Sequence, residues 1–277
     1  MVITTIKNKE VNKIRIGIIG SNGFIGRYVK SILQKDSSKI IILWDRNYHG
    51  DFLTSESRES FLNLHKFDLI YQLAWVNIED DKYRSNPSNL LFAHATVDFI
   101  SSCLERGIRM VVMGTHQNPE DDSLDLYLTS KKILKSFVEQ IQSDLVHYMS
   151  PTFVFSIKDR RPHLFRSFID SVGKGYLGTQ LNLNTPDMEI DLIHVRDVAE
   201  CLVEISSESI KAGSYIIASG LTTRVDVALA YLRVYLKLTN TAILPTCLLT
   251  SFNTSEKHLL FNRFTQLFYK QDDSVVL

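Results

Sequence analysis

The chain has 277 residues, 44% hydrophobic and 22% charged, with 31 basic against 31 acidic side chains and a formal net charge of zero, an ordinary composition for a globular protein of one large domain or two small ones. It gives no sign of a broad basic surface for nucleic acid or anionic membrane, while Cys103, Cys201 and Cys247 are far apart and outside any C-x-x-C, which argues against a disulfide framework or a zinc site. The cysteines read as reduced thiols, no run approaches the roughly 20 apolar residues of a membrane span, and residues 1–13 read as a short extension without a signal peptide, so a cytoplasmic protein is expected.

From Ile14 to Tyr28 the chain reads I-R-I-G-I-I-G-S-N-G-F-I-G-R-Y. An apolar strand ends in Gly20, Gly23 and Gly26, spaced G-x-x-G-x-x-G, and passes into R-Y-V-K-S-I-L-Q-K with apolar residues at helical spacing. Glycine tolerates positive φ and leaves no Cβ between backbone and a pyrophosphate, and a helix N-terminus offers amide donors to the anion. The implied ligand is a dinucleotide; without further context the same glycines would suit an ordinary turn. A β-rich run at Lys39 to Trp44 then ends on Asp45, 25 residues beyond Gly20. A carboxylate there accepts from the adenosine ribose hydroxyls and repels a 2′-phosphate, favouring NAD over NADP. Arg46 follows and offers a charge to such a phosphate, so NADP stays possible.

Gly50-Asp51-Phe52 reads as a short strand end, Glu56 to Leu64 as a brief helix and Asp68 to Ala74 as a buried strand. Residues 88–106 form a long helix, Arg109 to Met113 a strand, and Tyr127 to Ile141 a helix with a broad apolar face. Strands alternating with helices in this rhythm imply right-handed βαβ units and a parallel sheet. No internal repeat or low-complexity linker interrupts them.

Within Y-L-T-S-K, Tyr127 and Lys131 stand four residues apart on one helical face. An ammonium beside a phenol favours phenolate, which suits Tyr127 to proton transfer, with the Thr115 hydroxyl orienting a substrate oxygen. Of 11 tyrosines only Tyr127 has a lysine at this spacing. Elsewhere His194 reads as a structural histidine, Asp197 as a helix N-cap, and Trp75 either as core or as a residue crowding a nicotinamide.

The order of these motifs resembles the extended short-chain dehydrogenase/reductases, the NAD-dependent epimerase/dehydratase family that acts on sugar nucleotides. The likeness runs from about Ile14 to Gly220 and rests on G-S-N-G-F-I-G at 20–26, Gly50-Asp51, D-L-I-Y-Q-L-A at 68–74, Asn86-Pro87, Y-L-T-S-K at 127–131, D-L-I-H-V-R-D-V-A at 191–199 and G-S-Y-I-I-A-S-G at 213–220. It implies a Rossmann-type, doubly wound parallel α/β sheet with a small discontinuous C-terminal substrate lobe. The boundaries expected are 14–155 for the NAD(P)-binding domain, with 189–205 returning to it, and 156–188 with 206–277 for the lobe. Gly20, Gly23, Phe24, Ile25 and Gly26 would hold the pyrophosphate, Asp45 the ribose, Asp51 and Phe52 the adenine edge. Leu73, Ala74 and Trp75 would lie along the cofactor, Lys131 would also hold the nicotinamide ribose, and Thr115, Tyr127 and Lys131 would form the catalytic triad. Tyr148 to Thr152 would be the next strand, ending near Pro151.

Several positions depart from the family pattern. Relatives that carry out 4,6-dehydration place an Asp-Glu pair after the threonine; here His116 and Gln117 stand there, which argues against that reaction and leaves His116 as a candidate substrate contact. His94 takes the place of a helical asparagine. Ser150, Ser156 and Ile190 stand where an arginine, a glycine and a second arginine are usual; Arg160, Arg161, Arg166 or Arg224 are the candidates to replace the missing charges at a nucleotide diphosphate. Beyond Gly220 the likeness fades: T-R-V-D-V-A-L-A-Y-L-R-V-Y-L reads as a helix, and the 244–277 tail matches no family pattern. The expected activity is NAD(P)-dependent epimerisation or keto reduction of a nucleotide-linked hexose, at C4, in a homodimer paired through the 88–106 and 127–141 helices. A non-catalytic dinucleotide-binding member of the same fold, or a ketoreductase of another small molecule, is the alternative.

Overall fold

The computed structural model describes residues 13–76, 82–117, 125–156, 189–206, 210–220 and 222–224. Its centre is a six-stranded parallel sheet of β1 (Ile14–Ile19), β2 (Lys39–Leu43), β3 (Leu69–Gln72), β4 (Arg109–Met113), β5 (Val146–Pro151) and β8 (Gly213–Ile217), in the order β2-β1-β3-β4-β5-β8. The order reverses between β1 and β3, and such a switch point opens a crevice at the carboxyl ends of the two strands.

Both faces are covered. Helices α1 (Gly26–Leu33) and α6 (Val195–Ile205) lie over Ile16, Ile18, Leu69, Tyr71, Val111 and Met149. Opposite them, α3 (Ser55–Leu64), α4 (Ser88–Glu105) and α5 (Leu126–Ile141) cover Ile19, Ile70, Val112 and Tyr148. Side chains alternate across each strand, so burying both faces demands near-continuous apolar runs such as I-R-I-G-I-I. Gly17 interrupts that run because its neighbours need the room: a Cβ would lie 3.0 Å from Phe67 Cε1. Cys103 is fully buried on α4, where burial pushes its thiol up, and Cys201 is exposed on α6.

A second sheet joins β6 (Phe153–Phe155), β7 (Glu189–His194) and β9 (Thr222–Arg224), with β6 parallel and β9 antiparallel to β7. Asp191 ties it to the first: Oδ1 accepts from the Thr152 hydroxyl and the Ser219 amide, both at 2.8 Å.

Three readings of the sequence change. Gly50 to Leu53 is a turn after the short helix α2 (Arg46–His49) rather than a strand end, because Gly50 takes φ 83° and Asp51 Oδ1 accepts from Leu53 N at 3.1 Å. Residues 213–217, expected in the substrate lobe, form β8 of the main sheet; the wholly buried β5 has a second ladder edge, which β8 satisfies. Asp197 lies inside the first turn of α6, whereas the N-cap is His194, whose Nδ1 accepts from Arg196 N at 3.3 Å. Arg160, Arg161, Arg166, the helix expected after Gly220 (beyond its first residues) and the 244–277 tail lie outside the described residues.

Candidate active site

At the carboxyl end of β1 the chain turns at Gly20, with φ 86°, where a Cβ would stand 2.5 Å from the Ala74 amide nitrogen. Gly26 can carry no side chain either, because its Cβ would overlap the Gly20 carbonyl oxygen. Gly23 donates to that oxygen at 3.0 Å, and a Cβ on Gly23 would meet nothing else within 4 Å. The glycines thus serve two ends: Gly20 and Gly26 let backbone meet backbone, and Gly23 leaves the mouth of the turn clear. Helix α1 begins here with no side-chain cap; its Arg27 and Tyr28 amides bond to Gly23 O at 3.2 Å and Ile25 O at 3.0 Å, so an anion would be met by the backbone of the turn ahead of them and by the positive end of the helix dipole. A dinucleotide pyrophosphate fits this cradle. Phe24 and Ile25 pack their side chains against the α1 side of the core and line the turn through backbone.

At the end of β2, Asp45 is exposed and caps α2, with Oδ1 accepting from Asn47 N at 2.9 Å. Arg46 pairs with Asp51. The Asp51 carboxyl is held below the usual carboxylate range by the Leu53 amide and then by Arg46. Phe52 is buried among Trp44, Phe92 and Phe99, and its carbonyl accepts from Arg58 Nη1 at 2.8 Å, so its side chain is core. Leu73 and Ala74 follow β3 directly beside the glycine turn, the Leu73 amide donating to Ile19 O at 2.9 Å.

Across the crevice, α5 brings Tyr127 and Lys131 to the end of β4. Asp125 caps this helix by accepting from Leu128 N at 2.9 Å. The Lys131 ammonium donates to Met113 O at 2.9 Å, which locks the helix to the strand that carries Thr115. It lies 5.8 Å from the centroid of the Tyr127 ring and 3.3 Å from that of Trp75. Lys131 is only 4% exposed, and burial pushes its pKa well down; the Met113 carbonyl and the Trp75 face favour the charged form against that penalty. Thr115 Oγ1 is 3.4 Å from Gln117 N. His116 is exposed and its amide donates to Pro151 O at 3.3 Å. Arg224 ends β9 opposite Glu189 in the small sheet. His94 is exposed on α4, and the buried polar residue of that helix near Trp75 is Asn89 instead.

The structure gathers four further residues to which the sequence assigned no role at the site. Tyr148, 1% exposed, donates its hydroxyl to Lys131 O at 2.9 Å, which ties β5 to the helix that carries Tyr127 and Lys131. Arg84, in a 3₁₀ turn (Tyr83–Ser85), donates to Asp125 at 2.5 Å and Gln117 at 3.0 Å, with its guanidinium 5.9 Å from the Tyr127 ring centroid. Asn89 accepts from Trp75 Nε1 at 2.8 Å. Gln72 is buried at the end of β3, its Nε2 reaching Thr96 Oγ1 at 3.3 Å. Only Asn89, a polar residue inside an apolar helical stretch, left a trace in the sequence; the others depend on which loop meets which helix.

A doubly wound parallel sheet with a glycine turn at its switch point defines a Rossmann-type nucleotide-binding protein. The chain belongs to the NAD-dependent epimerase/dehydratase family, whose pattern matches residues 16–218. Among solved structures it is similar to a dTDP-4-dehydrorhamnose reductase from Yersinia enterocolitica (TM-score 0.66, 19% identity, 81% of each chain). It is also similar to UDP-glucose 4-epimerase from Thermus thermophilus in complex with NAD (TM-score 0.61, 16% identity, 79% of this chain and 82% of that one). A third is an NAD-dependent NDP-hexosamine 5,6-dehydratase of tunicamycin biosynthesis (TM-score 0.63, 17% identity, 81% and 82%). These identities establish a shared fold. A sequence search of curated proteins found no match.

Proposed function

We propose that this chain is an NAD(P)-dependent enzyme that modifies a nucleotide-linked sugar by hydride transfer at a hexose carbon, C4 in the simplest case, with Tyr127 as proton donor and acceptor. The observation that supports the reading is the meeting of α5 with the end of β4: the Lys131 ammonium bonds to Met113 O, two residues before Thr115, and lies 5.8 Å from the Tyr127 ring centroid. When bound, the nicotinamide supplies or takes up the hydride. Gly20, Gly23 and Gly26 shape the pyrophosphate cradle, and Asp45 offers the ribose its remaining oxygen. Tyr127 moves the proton of the sugar hydroxyl, Lys131 favours its phenolate, and Thr115 orients the substrate oxygen. Reductase, epimerase and dehydratase all occur among the similar structures. Exposed His116 and Gln117 supply no carboxylate pair next to Thr115, which counts against a 4,6-elimination run by that pair. A homodimer through α4 and α5 is part of the same reading, with Leu91 exposed on α4.

The test is to identify any dinucleotide that copurifies and then measure thermal shifts with NAD(P)(H) and with UDP-, GDP-, CDP- and dTDP-sugars. Tyr127→Phe should keep dinucleotide binding and lose at least about 100-fold in turnover. Full activity in that variant, or no dinucleotide binding by the native chain, would sink the proposal.

A further inference from the structure

Trp75 stands directly after Ala74, in the strand end that meets the glycine turn, and its ring lies flat enough over Lys131 for the ammonium to sit 3.3 Å from the ring centroid. The indole is pinned from behind. Its Nε1 donates to Asn89 Oδ1 at 2.8 Å, and Asn89 is fully buried with its amide group on Tyr83 O at 2.6 Å and Asn86 O at 3.1 Å. Phe92 packs beside it, ring centroids 5.8 Å apart. The ammonium therefore spends one donor on Met113 O and turns another side to the indole. One of the three ammonium donors is left over, but Lys131 is only 4% exposed, so a ribose hydroxyl gains access to it at the expense of the indole contact, and a desolvated cation over an indole is among the stronger contacts of its kind.

We propose that Trp75 is the residue that sets how firmly this chain holds its dinucleotide, making it a dissociable co-substrate rather than a retained prosthetic group. The inference rests on the dinucleotide reading above and refines it. Part of the affinity of the nicotinamide half goes into parting Trp75 from Lys131 and Asn89, so the complex is weakened by that amount. Net ketone reduction consumes one hydride and one proton and leaves an oxidised dinucleotide that has to be exchanged every turnover. Epimerisation returns the hydride to the same carbon and gains nothing from release. A covered lysine thus fits a reductase.

The chain's two tryptophans are Trp44 and Trp75, so Trp44→Phe leaves Trp75 as the sole indole reporter. Titration of that protein with NAD⁺ and NADP⁺, neither of which absorbs at indole emission wavelengths, should change the emission saturably. Trp75→Ala should tighten dinucleotide binding by on the order of tenfold, measured by calorimetry, with slower release. Trp75→Phe keeps a ring over Lys131 but loses the bond to Asn89, so severalfold tightening is expected and decides the matter if the alanine variant fails to fold. Unchanged affinity in the variants, flat Trp75 emission at saturation, or stoichiometric dinucleotide that survives dialysis of the native protein would each overturn the proposal. If neither native nor variant protein binds any dinucleotide, the functional reading itself falls and this inference with it.

Discussion

Gly114→Ala is the sharpest test of how the site is held together. Gly114 follows β4, its amide bonded to Met149 O at 2.7 Å, and its φ is not in the left-handed region, so glycine is required for space alone. A Cβ there would overlap the Tyr148 ring and stand 2.6 Å from its hydroxyl oxygen. That ring is 1% exposed and anchored to Lys131 O, so it has nowhere to retreat. Displacing it by roughly an ångström adds overpacking strain of about 1–3 kcal/mol and breaks the buried hydrogen bond to Lys131 O, which costs about 1–3 kcal/mol when left unmade. The total, about 3 kcal/mol or more, corresponds to a fall in Tm of roughly 6–12 °C for a chain of this size. Urea and thermal unfolding of the native and variant proteins would measure it. In a Tyr148→Leu background the alanine has no ring to push aside, and its penalty should shrink by more than about 1 kcal/mol, the signature of direct coupling. A Gly114→Ala protein within about 0.5 kcal/mol of the native one, or additive effects in the double variant, would refute the role given to this contact.

Three other outcomes follow from the geometry. Gly26→Ala pushes a methyl into the Gly20 carbonyl, so the thermal stabilisation by NAD⁺, about 2.7 kcal/mol at a hundredfold excess over Kd, should vanish; an unchanged shift would place the pyrophosphate elsewhere. Asp51→Asn releases Arg46 from its ion pair, which should raise affinity for NADP⁺ relative to NAD⁺ several-fold in calorimetry; a constant ratio would show that Arg46 does not face the 2′ position. For Asp191, burial alone would raise the carboxyl, but the Ser219 amide and the Thr152 hydroxyl outweigh it and hold it below the carboxylate range. A depressed folded pKa contributes stability that is present above the unfolded value of about 3.9 and is lost as pH falls through the folded value. Asp191→Asn should therefore be less stable at pH 7 and show a shallower acid limb below about pH 4, whereas parallel stability curves would contradict the linkage.

The strand, turn and helix from Ile14 to Leu33 were legible in the sequence because their causes are local: an apolar run that only burial on both sides explains, glycines where backbone closes on backbone, and a helix left uncapped. The alternation of β3, α4, β4 and α5 was legible for the same reason, since periods of 2 and 3.6 are written residue by residue. Tyr127 and Lys131 share a helical face by spacing alone. What spacing could not say is where the ammonium goes. Its contacts with Met113 O and Trp75 join residues 18 and 56 positions away in the chain, and such meetings are set by sheet order and helix packing, which no local pattern encodes. Tyr148, Arg84 and β8 belong to that class, as do the burial of the Phe52 side chain and the exposure of His94. By itself the sequence determined a dinucleotide fold and the residue types of its chemistry, through turn geometry and periodicity. The tertiary structure alone decided that Trp75 covers Lys131, because an indole finds its partner by packing against elements distant in the chain.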